Sequence, residues 1–368
     1  MRVLIAPNAF KGTLTAGRAA LAAARGVRAA LPGARLELLP VADGGDGLLD
    51  ALAPALGGRI MRTAVEGPLG GTVRARWLLA GRTAVIEMAE AAGLRLLGGR
   101  RLRPLDASTR GVGQLILAAA ASGAGEIVVG LGGSASNDGG AGCAQAFGFS
   151  LVDSRGREIG PGARGLGDLA AVFPGEGRRR LKGLKVTGLA DVRNTLCGPL
   201  GSARVFGPQK GAGPAEVRFL EKVLLNYARV VKAGLGVPLA RLRGGAAAGG
   251  LGAGLAAFFG AELDDGSAYV LERTGFHAAL ARADLLITGE GRFDAQSFYG
   301  KVPGAAVSAA AKRGVPAVVV CGAAGPFPAG GLARRGVAGV IEAGSAPSPA
   351  RAVEAAVRRG LPGILAGI

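Results

Sequence analysis

The chain has 368 residues, 49% of them hydrophobic and 19% charged, with a formal net charge of +18 at pH 7 and a single histidine. At ~100–200 residues per domain that length suggests two domains or one large one, and the apolar content excludes a disordered chain. No apolar run reaches the ~18 uncharged residues of a membrane span, the segment after Met1-Arg2 is too short for a signal-peptide core, and Cys143, Cys197 and Cys321 lack the spacing of a disulfide framework or zinc site; a cytoplasmic protein is expected.

The rhythm from the N-terminus is strand, glycine turn, helix. Residues 2–7 read as a short apolar strand, followed by a helix over 15–31 that Thr15 caps and Pro32-Gly33 stops. Residues 36–41 form a second strand, ending in the loop Ala42-Asp43-Gly44-Gly45-Asp46-Gly47. Residues 72–79 and 83–88 read as paired strands on either side of Ala80-Gly81-Arg82, and a helix over 108–121 leads into a buried strand over 126–130. A strand over 186–189 and a long amphipathic helix over 214–233 follow. Near the C-terminus, strands at 284–288, 317–321 and 339–341 alternate with helices at 303–313 and 349–359. Such alternation argues for an α/β protein with a mainly parallel sheet. The two ends look alike and the middle differs, so a discontinuous domain with a large insertion is the economical organisation.

The basic balance invites a nucleic-acid partner. Aromatic residues for base stacking make up only 4% of the chain, however, and the densest basic cluster is the short run Arg178-Arg179-Arg180 with Lys182 and Lys185. Heavy use of arginine, alanine and glycine fits a GC-rich genome, and a basic surface also favours small anionic substrates.

Ligands of open α/β sheets gather in the loops beyond the carboxyl ends of strands. Here those loops hold Asn8-Ala9-Phe10-Lys11, Asp43, the run Gly132-Gly133-Ser134-Ala135-Ser136-Asn137-Asp138-Gly139-Gly140, Asp191, and Gly289-Glu290-Gly291-Arg292-Phe293-Asp294. Glycine lets a backbone turn its N–H groups toward a phosphate, and a following helix adds its dipole. Segment 130–142 has both features. A second glycine-rich segment, 244–254, lacks polar side chains; tight helix packing and phosphate contact are equally open for it. No GxxxxGK[ST] pattern occurs, and no GxGxxG follows a clear strand. Asp43, Asp191, Glu290 and Asp294 suit Mg²⁺ that keeps substrate phosphates as ligands, or a proton acceptor for a substrate hydroxyl. Lysine is scarce here, which draws attention to Lys11, Lys210 and Lys301 as cations for phosphoryl oxygens. His277 reads as structural and Cys143 as small packing.

In their order along the chain these blocks resemble the bacterial glycerate kinase family, the type found in glucarate and glyoxylate metabolism. The matching stretches are Ile5-Ala6-Pro7 through Lys11, Val41-Ala42-Asp43-Gly44-Gly45, Ser108-Thr109-Arg110-Gly111, Gly132-Gly133-Ser134 through Asn137-Asp138-Gly139-Gly140, Phe206-Gly207-Pro208-Gln209-Lys210-Gly211, Thr288-Gly289-Glu290-Gly291-Arg292 through Asp294, Gln296 and Ser297, and then Gly300-Lys301-Val302-Pro303. The chain departs from the family pattern at Asn8-Ala9, usually Asp-Ser, and at Asp46, Leu48, Val112 and Gln114.

The resemblance implies a two-domain α/β kinase. A Rossmann- or flavodoxin-like discontinuous domain would span 1–65 and 284–368, a second α/β domain inserted over 66–283, and the active site would lie in the cleft. The implied activity is ATP-dependent phosphorylation of D-glycerate to 2-phosphoglycerate; a kinase of another small hydroxy acid would share every motif. The implied partners are D-glycerate, ATP and Mg²⁺, with no nucleic acid or membrane, and a homo-oligomer is allowed. In this scheme Lys11, Lys210 and Arg292 neutralise the transferring phosphoryl group, and Asp191 orients the glycerate hydroxyl and accepts its proton. Asp43 and Asp294 stand on the metal side. Gly132, Gly133, Ser134, Asn137, Asp138, Glu290 and Lys301, with Asp43, contact phosphate or substrate.

Overall fold

A computed structural model describes residues 1–99, 102–327 and 330–368. Its strands in chain order are β1 (Arg2–Pro7), β2 (Arg35–Leu38), β3 (Arg59–Glu66), β4 (Thr72–Ala80), β5 (Thr83–Glu87), β6 (Glu126–Gly130), β7 (Ser150–Val152), β8 (Ala171–Phe173), β9 (Lys185–Ala190), β10 (Glu262–Asp265), β11 (Leu285–Phe293), β12 (Ala317–Ala324) and β13 (Val337–Glu342). The chain is α/β and divides into two units, Met1–Leu56 with Gly266–Ile368, and Gly57–Asp265. Among the described residues no helix is long and apolar enough to cross a membrane.

In the discontinuous unit five strands lie in the order β13-β12-β11-β1-β2, every neighbour parallel. β1 is buried from Val3 to Pro7, as a near-continuous apolar run inside a parallel sheet should be. Helices Ala16–Ala30 and Pro349–Leu365 close over the cluster shared by Val3, Ile5, Ile287, Val320 and Val357. They pack tightly, since a Cβ on Gly26 would stand 2.6 Å from the Glu354 carbonyl oxygen. Counted within the unit, the strand order is the 2-1-3-4-5 of flavodoxin-like sheets, whose ligands gather beside the first strand where the order reverses. Here that point lies between β1 and β11.

Thr15 caps the first helix as its sequence predicts, its hydroxyl oxygen accepting the Arg18 N–H at 3.3 Å. Thr15→Ala is expected to lower the unfolding free energy by about 1 kcal/mol, measurable as a shifted urea midpoint at unchanged slope.

Two elements of this unit differ from expectation. β2 stops at Leu38 and not at residue 41: Leu39 and Val41 still follow β1, donating to the Ile5 and Pro7 carbonyls at 2.9 and 3.1 Å, but Pro7 has no N–H to return to β2. β11 runs on past residue 288 to Phe293, with Arg292 and Phe293 paired to Ala323 and Ala324 of β12. Glu290 and Arg292 are therefore strand residues, not loop residues. The partner backbone of β12 overrides the weak strand preference of Gly289 and Gly291.

The second unit carries a mixed sheet ordered β10-β9-β6-β5-β4-β3, parallel from β10 to β5 and antiparallel at β4 and β3. β6 has the bounds its sequence predicts, and the β4–β5 pair turns around Gly81. The edge strands β3 and β10 left no clear apolar signal. β3 buries only Val65, and β10 reads Glu262-Leu263-Asp264-Asp265, the charged composition that protects sheet edges. Phe147, Phe149, Phe258 and Phe259 form the aromatic centre of the core, with ring centroids 4.8 Å apart for Phe147 and Phe259.

Candidate functional site

Two constellations hold the residues singled out above, one in each unit. The first lies at the carboxyl ends of β1, β11, β12 and β13. The turn after β1 folds back so that Phe10 and Leu14 exchange backbone hydrogen bonds. Lys11 at its tip lines a cavity of about 450 Å³ together with Glu290, Arg292 and Lys301. The other side of the cavity is small and apolar, with Ala323, Ala343 and Ala346 ahead of the helix Pro349–Leu365. Its volume is within the range of small-molecule sites.

Glu290 is 6% exposed. Its Oε2 stands 3.7 Å from the Lys301 Nζ, and its Oε1 is buried with no hydrogen-bond partner. Burial pushes the carboxyl above its ordinary value and the Asp43 charge adds to this, while the Ser297 hydroxyl, Lys301 and Lys11 oppose it. Asp43 is buried beside the β1 turn, where the Asn8 side-chain amide donates to its Oδ2 at 3.1 Å. Asn8 thus supplies a donor where a second carboxylate would repel Asp43. From the sequence alone it reads as a lost carboxylate; the signal was an amide, and its partner lies 35 residues on. Asp294 is tied locally: its Oδ1 accepts the Gln296 N–H at 2.9 Å and its Oδ2 the Arg292 Nε–H at 3.2 Å. Ser297, quoted above only within a motif, closes that turn by accepting the Asp294 N–H at 3.1 Å.

The second constellation follows β6 and packs around Asp138, which is fully buried. Its Oδ2 accepts from the Thr109 N–H at 2.8 Å, the Thr109 hydroxyl at 2.9 Å and the Gly142 N–H at 3.3 Å, and its Oδ1 from the Gly140 N–H at 3.1 Å. The backbone donors at the end of the glycine run, which the sequence suggests for phosphate, are therefore turned onto the chain's own carboxylate. Burial pushes the Asp138 carboxyl up, against the pull of those donors.

Lys210, read as a phosphoryl cation, is instead only 2% exposed, and its ammonium donates to the Ser136 carbonyl at 2.6 Å. Burial drives it down to about 7, against the Asp138 charge that raises it. Asn137 donates to the Pro104 carbonyl at 3.0 Å, and the Tyr227 hydroxyl to the Gly139 carbonyl at 2.8 Å. Tyr227 had no sequence signal beyond helical periodicity.

Of the same run, Ser134 is buried while Gly132 is half-buried and Gly133 exposed, with its φ at +72°. Asp191 follows β9 and is half-buried. The segment around Gly249 resolves as packing: a Cβ on Gly249 would collide with the Ser136 carbonyl, and one on Gly254 with that of Gly139. Cys143 is fully buried, its thiol pushed up by desolvation, and His277 packs edge-on against Phe276.

The arrangement in the discontinuous unit can neutralise an anionic ligand with three cations and offer it one buried carboxylate. The model of the glycerate kinase family matches residues 3–362. The chain is 45% identical over 325 residues to a glycerate kinase of Halalkalibacterium halodurans, covering 88% of this chain and 86% of that protein. It is 43% identical over 324 residues to the glycerate 2-kinase of Escherichia coli K12, covering 88% and 85%. A crystal structure described as that of a "putative glycerate kinase 2" from Salmonella typhimurium LT2 superposes with a TM-score of 0.84 at 38% identity, over 100% of this chain and 99% of that one.

Proposed function

The chain belongs to the glycerate kinase family, and from that premise we propose how its own residues carry out the ATP-dependent phosphorylation of D-glycerate to 2-phosphoglycerate. The observation that carries the assignment of residues is the cavity beside β1 and β11, where Lys11, Arg292 and Lys301 converge with Glu290. Glycerate and ATP are both anionic, and their mutual repulsion must be suppressed before transfer. Three cations around one cavity do this for the oxygens of the transferring phosphoryl group. The cavity sits at the topological switch point, where a doubly wound sheet receives its ligand. Lys210 and Asp138 serve the architecture of the glycine run, because the Lys210 ammonium holds the Ser136 carbonyl and both Asp138 oxygens are engaged within the protein.

Among the described residues Asp43 and Asp294 form no closed magnesium cage. Both Asp294 oxygens and the Asp43 Oδ2 are engaged within the protein, and among the described residues no three His, Cys, Asp or Glu side chains group to hold a metal. Magnesium supplied with a nucleotide needs no such cage, since it keeps waters and phosphates as ligands.

The test is a coupled ADP-release assay with D-glycerate, ATP and Mg²⁺, the product identified by NMR. Turnover to 2-phosphoglycerate is the expected result. Formation of 3-phosphoglycerate would move the acceptor hydroxyl, and a folded protein without turnover of D-glycerate would overturn the assignment in favour of another hydroxy acid.

A further inference from the structure

We propose that the Glu290 carboxylate accepts the proton of the attacking hydroxyl. This rests on the kinase assignment above. The first argument is the atom itself. Oε1 is buried without a hydrogen-bond partner, whereas Oε2 faces Lys301. Leaving a buried acceptor unpaired costs ~1–3 kcal/mol, and such an orphan in a native site calls for a partner that arrives with a ligand. A substrate hydroxyl is such a donor.

The second argument is place. Glu290 lines the same cavity as Lys11, Arg292 and Lys301, the groups assigned to the phosphoryl oxygens. A proton acceptor must stand within hydrogen-bond reach of the hydroxyl that attacks that phosphorus. The other carboxylates are less suited. Asp138 and Asp294 have both oxygens engaged, Asp43 is held by Asn8, and Asp191 does not line this cavity.

The third argument is rigidity. Glu290 stands in β11 between two glycines whose backbones are pressed against their neighbours. A Cβ on Gly289 would collide with the Val320 carbonyl, and one on Gly291 would stand 3.3 Å from the Lys11 nitrogen. The strand thus holds the carboxylate on a fixed element, as positioned catalysis requires. Burial also raises its basicity toward neutrality, in the direction a general base needs.

In the step, the hydroxyl O–H bond breaks and its proton passes to the Glu290 carboxylate. The hydroxyl oxygen forms a bond to the γ-phosphorus as the bond from phosphorus to the bridging β,γ-oxygen breaks, and that electron pair leaves with ADP. Glu290 then returns its proton to solvent after product release.

The experiment compares Glu290→Gln and Asp191→Asn with the wild type in the D-glycerate assay, with unfolding followed by circular dichroism. Glu290→Gln is expected to lower kcat by about 100-fold or more, the lower end for loss of acid–base catalysis, with KM for ATP within about threefold. Asp191→Asn should lower kcat by less than Glu290→Gln does. A smaller fall in Glu290→Gln, a loss confined to KM, or a large fall in Asp191→Asn alone overturns the proposal. Glu290→Asp keeps the charge and should recover part of the lost kcat; if Glu290→Gln fails to fold, an active Glu290→Asp at wild-type kcat overturns it as well. Absence of wild-type turnover removes the kinase assignment itself, a result distinct from an active Glu290→Gln.

Discussion

Asp138→Ala is expected to lower the unfolding free energy of the protein by about 4 kcal/mol or more, with urea titration as the measurement. Four donors converge on this carboxylate, and three of them are backbone N–H groups of Thr109, Gly140 and Gly142. Alanine leaves all of them in a buried site without an acceptor, at ~1–3 kcal/mol for each unsatisfied group. The removed carboxylate also takes away the charge that holds up the Lys210 ammonium, and breaking a buried charge arrangement from one side adds to the loss. Relief of the desolvation borne by Asp138 itself offsets part of this, which keeps the expected figure below the sum of the parts. A loss under about 2 kcal/mol accompanied by a large fall in kcat would give a different result: the carboxylate would then face substrate, as the sequence motif by itself suggests.

Gly249→Ala is the second large effect, expected to cost about 3 kcal/mol. Its φ of +68° lies in the left-handed region, where a Cβ adds ~1–2 kcal/mol. The added methyl would also overlap the Ser136 carbonyl and stand 2.9 Å from the Asn137 Cα, an overpacking of ~1–3 kcal/mol against backbone that has no room to shift. Gly236→Ala separates the two contributions. Gly236 has a φ of +77° at the end of the helix Pro214–Leu235 but open space around its Cβ position, so only the left-handed strain of ~1–2 kcal/mol should appear. Equal losses in the two variants would mean that the segment around Gly249 is not wedged against the glycine run and is open to a ligand.

Both predictions concern the same reading of the glycine run. Glycine, serine, asparagine and aspartate after a strand are the composition of an anion-binding loop, and the composition is indeed met by an anion. That anion is Asp138, supplied from within the run. Local sequence cannot distinguish donors awaiting a phosphate from donors already satisfied, because two of the four contacts come from Thr109, 29 residues away. Lys210 repeats the lesson. Its partner is the Ser136 carbonyl, 74 residues earlier, so nothing near it in sequence signals its burial.

What the sequence determined by itself was the set of features that depend on short-range chemistry. The apolar run of β1, the bounds of β6, the Thr15 cap and the turn at Gly81 follow from periodicity, capping and turn chemistry acting within a few residues. The ordered blocks along the chain carried the family, which is a property of the sequence and needs no coordinates. Tertiary structure alone decided which polar groups are spent and which remain to meet a ligand. It extended β11 through Glu290 by pairing it to β12, turned Asn8 onto Asp43, and placed the Glu290 carboxylate, its Oε1 buried without a hydrogen-bond partner, beside a cavity that three cations line. The physical reason is that desolvation and hydrogen-bond satisfaction are set by atoms brought together from distant parts of the chain, whereas periodicity reports only which face of an element turns inward.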